Sequence, residues 1–223
     1  MAAPIKKTIE LFYDVISPYS WLAFEILGRY RQRWNIDLQY KPFFLGGIMQ
    51  GADNKPPGLN PMKAVYMFDD LAMQRDYTGV LFSKSVPTSF FEQSSLTAQR
   101  FLTVVNDQHP DDLEEVSRQL WIRMWSKNKD ITDPTSVLEA AQAAGMSEEV
   151  ANKCMSEVKD QSTNEELKRI TGIALESGAF GAPWILAHND GEVKTFWGTD
   201  KIPLLAHVIG EKWEGPLKPS SKL

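Results

Sequence analysis

The residues best placed to do chemistry are Ser17, Pro18, Tyr19 and Ser20, which follow the apolar run IELFYDV and open a stretch of helical spacing. A helix that begins at a serine offers unpaired backbone N–H groups, the positive end of the helix dipole and a hydroxyl that can cap the first turn or donate to an anion. On residue type alone, Ser17 is most simply an N-cap. A catalytic role needs support from the rest of the chain.

Several other chemistries are excluded or disfavoured. Cys154 is the single cysteine of the 223 residues, so an intrachain disulfide framework, a dithiol redox centre and a cysteine-based zinc site are ruled out. His109, His188 and His207 lie far apart, outside metal-ligand spacing, and no metal is expected. The formal net charge of -5 gives no sign of a phosphate-binding surface, and no nucleic-acid partner is expected. No window is apolar over the length that a membrane span requires.

The elements that must position Ser17 are legible in outline. Thr8 to Val15 is β-branched and aromatic, as a central strand requires. After Ser17 and Pro18, a stripe of Trp21, Phe24, Leu27 and Tyr30 recurs at helical spacing. Ile36 to Tyr40 then alternates, completing a βαβ unit with a parallel pair. GGIMQGADNKPPGLNP reads as a Gly-, Pro- and Asn-rich loop, and the pattern from there to about residue 162 is almost entirely helical. DDLEEVSRQLWIRMWSK presents one apolar face, and DPTSVLEAAQAAG carries start and stop signals. A later helix is expected to open on a Thr163–Glu166 capping box and stop near Gly178. PWILAHND and EVKTFW, around Asp190-Gly191, read as a hairpin, followed by a helix from about Asp200 to Ile209. The expected division is a domain of residues 1–60 and 163–223 with a helical insertion at 61–162.

This order, with GAFGAP before the third strand, resembles the thioredoxin fold, and the insertion narrows the resemblance to its DsbA-like branch. The implied fold is α/β, thioredoxin-like, with a large all-helical insertion. In redox members of that superfamily the first helix opens on C-x-x-C. Here Ser17-Pro18-Tyr19-Ser20 stands in that window, so a thiolate held at the helix end has to come from a small molecule. Pro183 matches the proline that faces the first helix in that superfamily.

Across nearly the whole chain, ELFYDVISPYSWLAFEIL, NKPPGLNP, SLTAQRFLTVVN, GAFGAPW, FWGTDK and LLAHVIGEKWEGP resemble the kappa-class glutathione transferases. The resemblance implies glutathione as co-substrate, with Ser17 contacting its sulfur and Pro18 and Tyr19 in the same loop. It implies Asn54 and Lys63 as residues that hold glutathione. Ala182, beside Pro183, is implied to pair its backbone with the cysteinyl unit, in the manner of an added strand. Ala stands where the family commonly has Leu, which enlarges the neighbouring pocket. Thr199 and Asp200 are implied to hold the γ-glutamyl end.

The implied reaction is conjugation of glutathione to apolar electrophiles such as aryl halides, with glutathione-dependent peroxidase activity as a second possibility. The resemblance also implies a homodimer. Alternatives are an enzyme resembling the glutathione-dependent 2-hydroxychromene-2-carboxylate isomerases, or a noncatalytic DsbA-like binding protein or chaperone. Ser221-Lys222-Leu223 is the tripeptide read by the peroxisomal import receptor, so a peroxisomal location is expected, with the mitochondrial matrix as a second compartment. Trp121, Trp125 and the pairs Phe43-Phe44 and Phe90-Phe91 read as core or subunit contacts, and Cys154 as inert.

Overall fold

The computed structural model describes residues 6–83 and 94–218. Phe90 and Phe91 lie outside them, as does Ser221-Lys222-Leu223. Strand β1, Lys7–Tyr13, runs through the middle of the fold with apolar residues on both faces. Ile9, Leu11 and Tyr13 enter one core, whereas Phe12 enters another on the opposite side. That two-sided burial is confined to the end of the strand near Ser17, since Glu10, on the Phe12 face, pairs instead with His188 and Lys41.

Helix α1, Pro18–Tyr30, returns the chain to β2, Ile36–Pro42, which pairs parallel to β1 in the register Leu11 to Tyr40. On the other side of β1, β3 (Trp184–Asn189) pairs antiparallel, and the Asp190-Gly191 turn leads to β4 (Glu192–Trp197), antiparallel in turn. The sheet order is β2-β1-β3-β4. A short 3-10 turn, Thr199–Lys201, precedes the last helix, α9, at Ile202–Val208.

Between β2 and β3 run α2 (Leu45–Gly51), α3 (Pro61–Thr78), α4 (Leu96–Gln108), α5 (Leu113–Trp121), α6 (Pro134–Ala143), α7 (Glu148–Ser156) and α8 (Gln161–Glu176). α1 and α9 share the larger core with α4 through α7, so the helical block packs onto the α1 face of the sheet. α2 and α8 cover the other face with Ile48, Ile170 and Ala174 against Phe12, Trp184 and Leu186.

Two local expectations are corrected, and one helix has an unforeseen irregularity. The segment read as a Gly-rich loop begins with α2, because tertiary packing overrides its poor helix propensity. Ile48 is fully buried there, and a side chain at Gly51 would meet Leu175 at 2.8 Å. The Thr163–Glu166 capping box does not form. α8 starts earlier, at Gln161, the Thr163 hydroxyl donates to the Glu157 carbonyl at 2.8 Å, and Glu166 pairs with Arg169. The long helix through Trp121 and Trp125 changes pitch midway: α5 gives way at Ile122–Ser126 to a π-helical turn, closed by the Lys127 N–H on the Ile122 carbonyl at 3.0 Å.

Candidate active site

The C-terminal end of β1 and the N-terminal end of α1 meet at Ser17. Pro18 stands at the first helical position, where its missing N–H costs nothing and its fixed φ favours the helix. Ser17 is extended, and its Oγ accepts the Ser20 N–H at 3.1 Å, so the expected cap is present. The Trp21 N–H makes the first intrahelical bond, to the Ser17 carbonyl at 3.3 Å. The first turn therefore keeps the Tyr19 N–H and the Ser17 hydroxyl hydrogen outside its internal bonding, and the Ser20 hydroxyl is buried without a partner. Of the two serines, Ser17 retains 6% exposure and Ser20 none. A ligand at this end meets Ser17.

The Tyr19 side chain reaches across to α3. Its hydroxyl donates to Asp70 Oδ2 on α3 at 2.8 Å, and burial followed by this carboxylate holds it protonated. Tyr19 thus fastens α3 to the start of α1. The Thr199 hydroxyl donates to the Tyr19 carbonyl at 2.8 Å, across 180 residues.

The loop before β3 reaches the same place. The Ala182–Pro183 peptide bond is cis, and Pro183 is buried beside a half-buried Ala182. The Pro183 carbonyl accepts the Gly198 N–H at 3.2 Å, which draws the Thr199-Asp200 turn against this loop. Gly198 has φ 95 and ψ 154, backbone territory that only glycine occupies readily, and a side chain there would meet Asp200 Oδ1 at 2.5 Å. Asn54, beyond the end of α2, donates from Nδ2 to the Phe180 carbonyl at 2.7 Å, while its Oδ1 accepts the Lys55 N–H.

Hydrogen bonds consequently tie Thr199 to Tyr19 and Gly198 to Pro183, and join Asn54 to the loop before β3 through Phe180, while Ser17 and Pro18 adjoin Tyr19 in the chain. Lys63 is different: it sits exposed in the first turn of α3, where the Asn60 side chain caps its N–H, and no bond ties its ammonium to the others. Asp200 is exposed and lies 2.5 Å from the Lys201 ammonium.

Two contributors are not recognisable from sequence. Trp121, at the end of α5, donates its indole N–H to the Ser17 carbonyl at 3.1 Å, although its ring is fully buried against Tyr13, Phe24 and Trp21. The expectation that Trp121 is core is correct, and this polar contact is additional. Phe180 contributes its carbonyl to Asn54 and its ring to a cluster with Trp184 and Trp197. A single-sequence pattern carries no signal for contacts over such separations.

The chain matches the family of DSBA-like thioredoxin domains over residues 8–210. It is 48% identical over 219 residues to glutathione S-transferase kappa 1 of Homo sapiens, covering 97% of each chain. The chain belongs to the kappa class of glutathione S-transferases. A second kappa 1 enzyme, from Rattus norvegicus, is 41% identical over 221 residues, again with 97% of each chain covered. Among solved structures, 2-hydroxychromene-2-carboxylate isomerase superposes with a TM-score of 0.73 at 17% identity, covering 91% of this chain and 94% of its own. That likeness concerns the fold. In this kappa-class chain the first helix opens on a serine hydroxyl, that of Ser17.

Proposed function

We propose that this chain binds glutathione with its sulfur at the first turn of α1 and promotes attack of the thiolate on apolar electrophiles. The observation that carries the reading is the Ser17 end of α1, capped and braced, with the Tyr19 N–H and the Ser17 hydroxyl left to face a ligand. Both donors favour the anion over the thiol, as does the helix dipole. The thiol proton leaves to water, the sulfur forms a bond to the electrophilic carbon, and for an aryl halide the halide ion departs. Reduction of lipid hydroperoxides is the secondary activity: two glutathiones give a disulfide as the peroxide becomes an alcohol and water.

The remaining roles follow the same reading. Ala182, next to Pro183, offers backbone groups to the cysteinyl unit, Thr199 and Asp200 receive the γ-glutamyl end, and Asn54 and Lys63 hold the tripeptide on the other side. We take residues 61–162 as the inserted helical domain, since its helices supply Asp70 and Trp121 to the site from outside the thioredoxin-like part.

A homodimer is supported by the outer face of α3, where Met62, Val65, Tyr66, Met73 and Tyr77 are all exposed. Peroxisomal import, with the mitochondrial matrix as a second destination, rests on Ser221-Lys222-Leu223 alone.

The test is conjugation of glutathione to an aryl chloride, with the thioether identified by mass spectrometry. Turnover by the wild type that collapses in Ser17→Ala supports the reading. Tight glutathione binding with no turnover on any electrophile would favour the noncatalytic binding protein, and turnover confined to 2-hydroxychromene-2-carboxylate would favour the isomerase.

A further inference from the structure

Ser17 is held from below by a buried carboxylate. The Ser17 N–H donates to the Asp14 main-chain carbonyl at 3.0 Å, and the Asp14 side chain, itself 0% exposed, gathers three more donors. Its Oδ1 accepts the Ile16 N–H at 3.0 Å, and its Oδ2 accepts the Leu45 N–H at 2.9 Å and the Ser95 hydroxyl at 2.8 Å. These donors belong to three separate segments: the turn that delivers Ser17, the start of α2 and the residue that precedes α4.

Every one of those partners is neutral. Burial pushes the Asp14 carboxyl up to about 6, with the three hydrogen bonds opposing that rise. The nearest titratable neighbour in sequence, Tyr13, is fully buried, shares a hydrogen bond with the Ser117 hydroxyl and is held protonated by burial. A carboxylate in such a place, with neutral partners only, is unfavourable for folding. What it supplies is acceptor capacity on both oxygens. An asparagine could serve Leu45 and Ser95 with its one oxygen but would turn its NH2 group onto the Ile16 N–H, opposing donor to donor.

α2 runs on to the loop of Asn54, whose N–H bonds back to the Met49 carbonyl at 2.9 Å. One side chain therefore fixes the turn before Ser17 and the base of the segment that carries Asn54. We propose that Asp14 is a positioning residue of the glutathione site, locking the Ile16–Ser17 turn against α2 and α4 so that the first-turn donors of α1 stay aimed at the sulfur. This rests on the glutathione reading of the same site.

Two measurements on the full chain test it. Asp14→Asn and Ser95→Ala are compared with wild type for the pH midpoint of the ultraviolet thiolate absorbance of bound glutathione, and for amide hydrogen exchange at residues 16 to 20. The expected results for Asp14→Asn are a midpoint shifted upward toward free glutathione and exchange at Ile16 and Ser20 faster by roughly tenfold or more, with α8 unchanged. Ser95→Ala, which removes one donor and leaves the charge, shifts both in the same direction by less, and it decides the matter alone if Asp14→Asn fails to fold. A downward midpoint in Asp14→Asn, which is what loss of a nearby negative charge would give by itself, overturns the proposal. So does unchanged exchange at residues 16 to 20 in a folded variant. Absence of a thiolate band in the wild type would count against the transferase reading, while the exchange comparison still decides Asp14.

Discussion

The sulfur end of the proposed site and its carboxylate ends are built on opposite principles. Around Ser17, the main chain is bonded by Asp14 and Trp121, the side chain caps its own helix, and Pro18 and Pro183 are buried. Around Lys63 and Asp200, the charges stand exposed, and the contact of Asp200 is a surface pair with the adjoining Lys201. Rigid, desolvated donors can distinguish a thiolate from a thiol, whereas exposed charges on long side chains mostly set affinity and are screened by salt. On the proposed reading, the ordered end is the one where charge develops.

The sharpest way to break this contrast is Ser17→Ala, which removes the hydroxyl donor and the cap together. The expected loss in kcat is roughly 10²–10³-fold, the scale for deleting one donor to a developing anion, with the KM for glutathione changing far less. Steady-state kinetics at saturating electrophile checks it. An equal and opposite change in KM with kcat intact would erase the distinction between the two ends.

Next in size is the pH dependence of stability contributed by Asp14. Its carboxyl titrates near 3.8 when unfolded and at about 6 when folded, so well below the unfolded value both states are protonated and the group contributes no penalty. As pH rises through that interval the unfolded chain loses the proton first, and stability falls until it levels off above pH 6. The difference between the two titrations corresponds to about 3 kcal/mol. Urea unfolding at several pH values should show wild type losing about this much between roughly pH 3 and pH 7 relative to Asp14→Asn, whose curve lacks the step.

Trp121→Phe sharpens the comparison from the side of the insertion. It keeps an aromatic ring against Tyr13 and Phe24 but leaves the Ser17 carbonyl with the Trp21 N–H alone. The expected stability loss is about 1–3 kcal/mol, with the thiolate midpoint moved upward. Denaturant melts and the absorbance titration measure the two parts separately. The smallest effects belong to Lys63→Ala and Asp200→Ala: a rise in KM for glutathione corresponding to about 1 kcal/mol or less, kcat unchanged, and a difference that shrinks as salt is added.

Much of the framework was legible because it is written in local periodicity. The alternation of Ile36 to Tyr40, the Asp190-Gly191 turn and the Ser17-Pro18 helix start each encode their own structure. α2 was hidden because its glycines look like a loop until Leu175 is seen packed against Gly51. The false capping box at Thr163 has the right spacing, but the Asp160 start and the Glu157 carbonyl compete for the same residues. At the site, family resemblance pointed to Ser17, Pro18, Tyr19, Asn54, Lys63, Ala182, Pro183, Thr199 and Asp200, and among the described residues the structure shows one direct hydrogen bond within that set, from Thr199 to Tyr19, with Pro183 and Asn54 bonded to neighbours of others. Trp121 bonds Ser17 across 104 residues, and Asp14 meets Ser95 across 81. Contacts of that kind depend on how helices stack, which residue spacing does not record.

The most direct measurement is the pH titration of the thiolate absorbance of glutathione bound to wild type and to Ser17→Ala. If the first turn of α1 activates the sulfur, the wild-type midpoint lies well below that of free glutathione and rises in the variant. A midpoint equal to that of free glutathione, or one that Ser17→Ala leaves in place, would contradict the account.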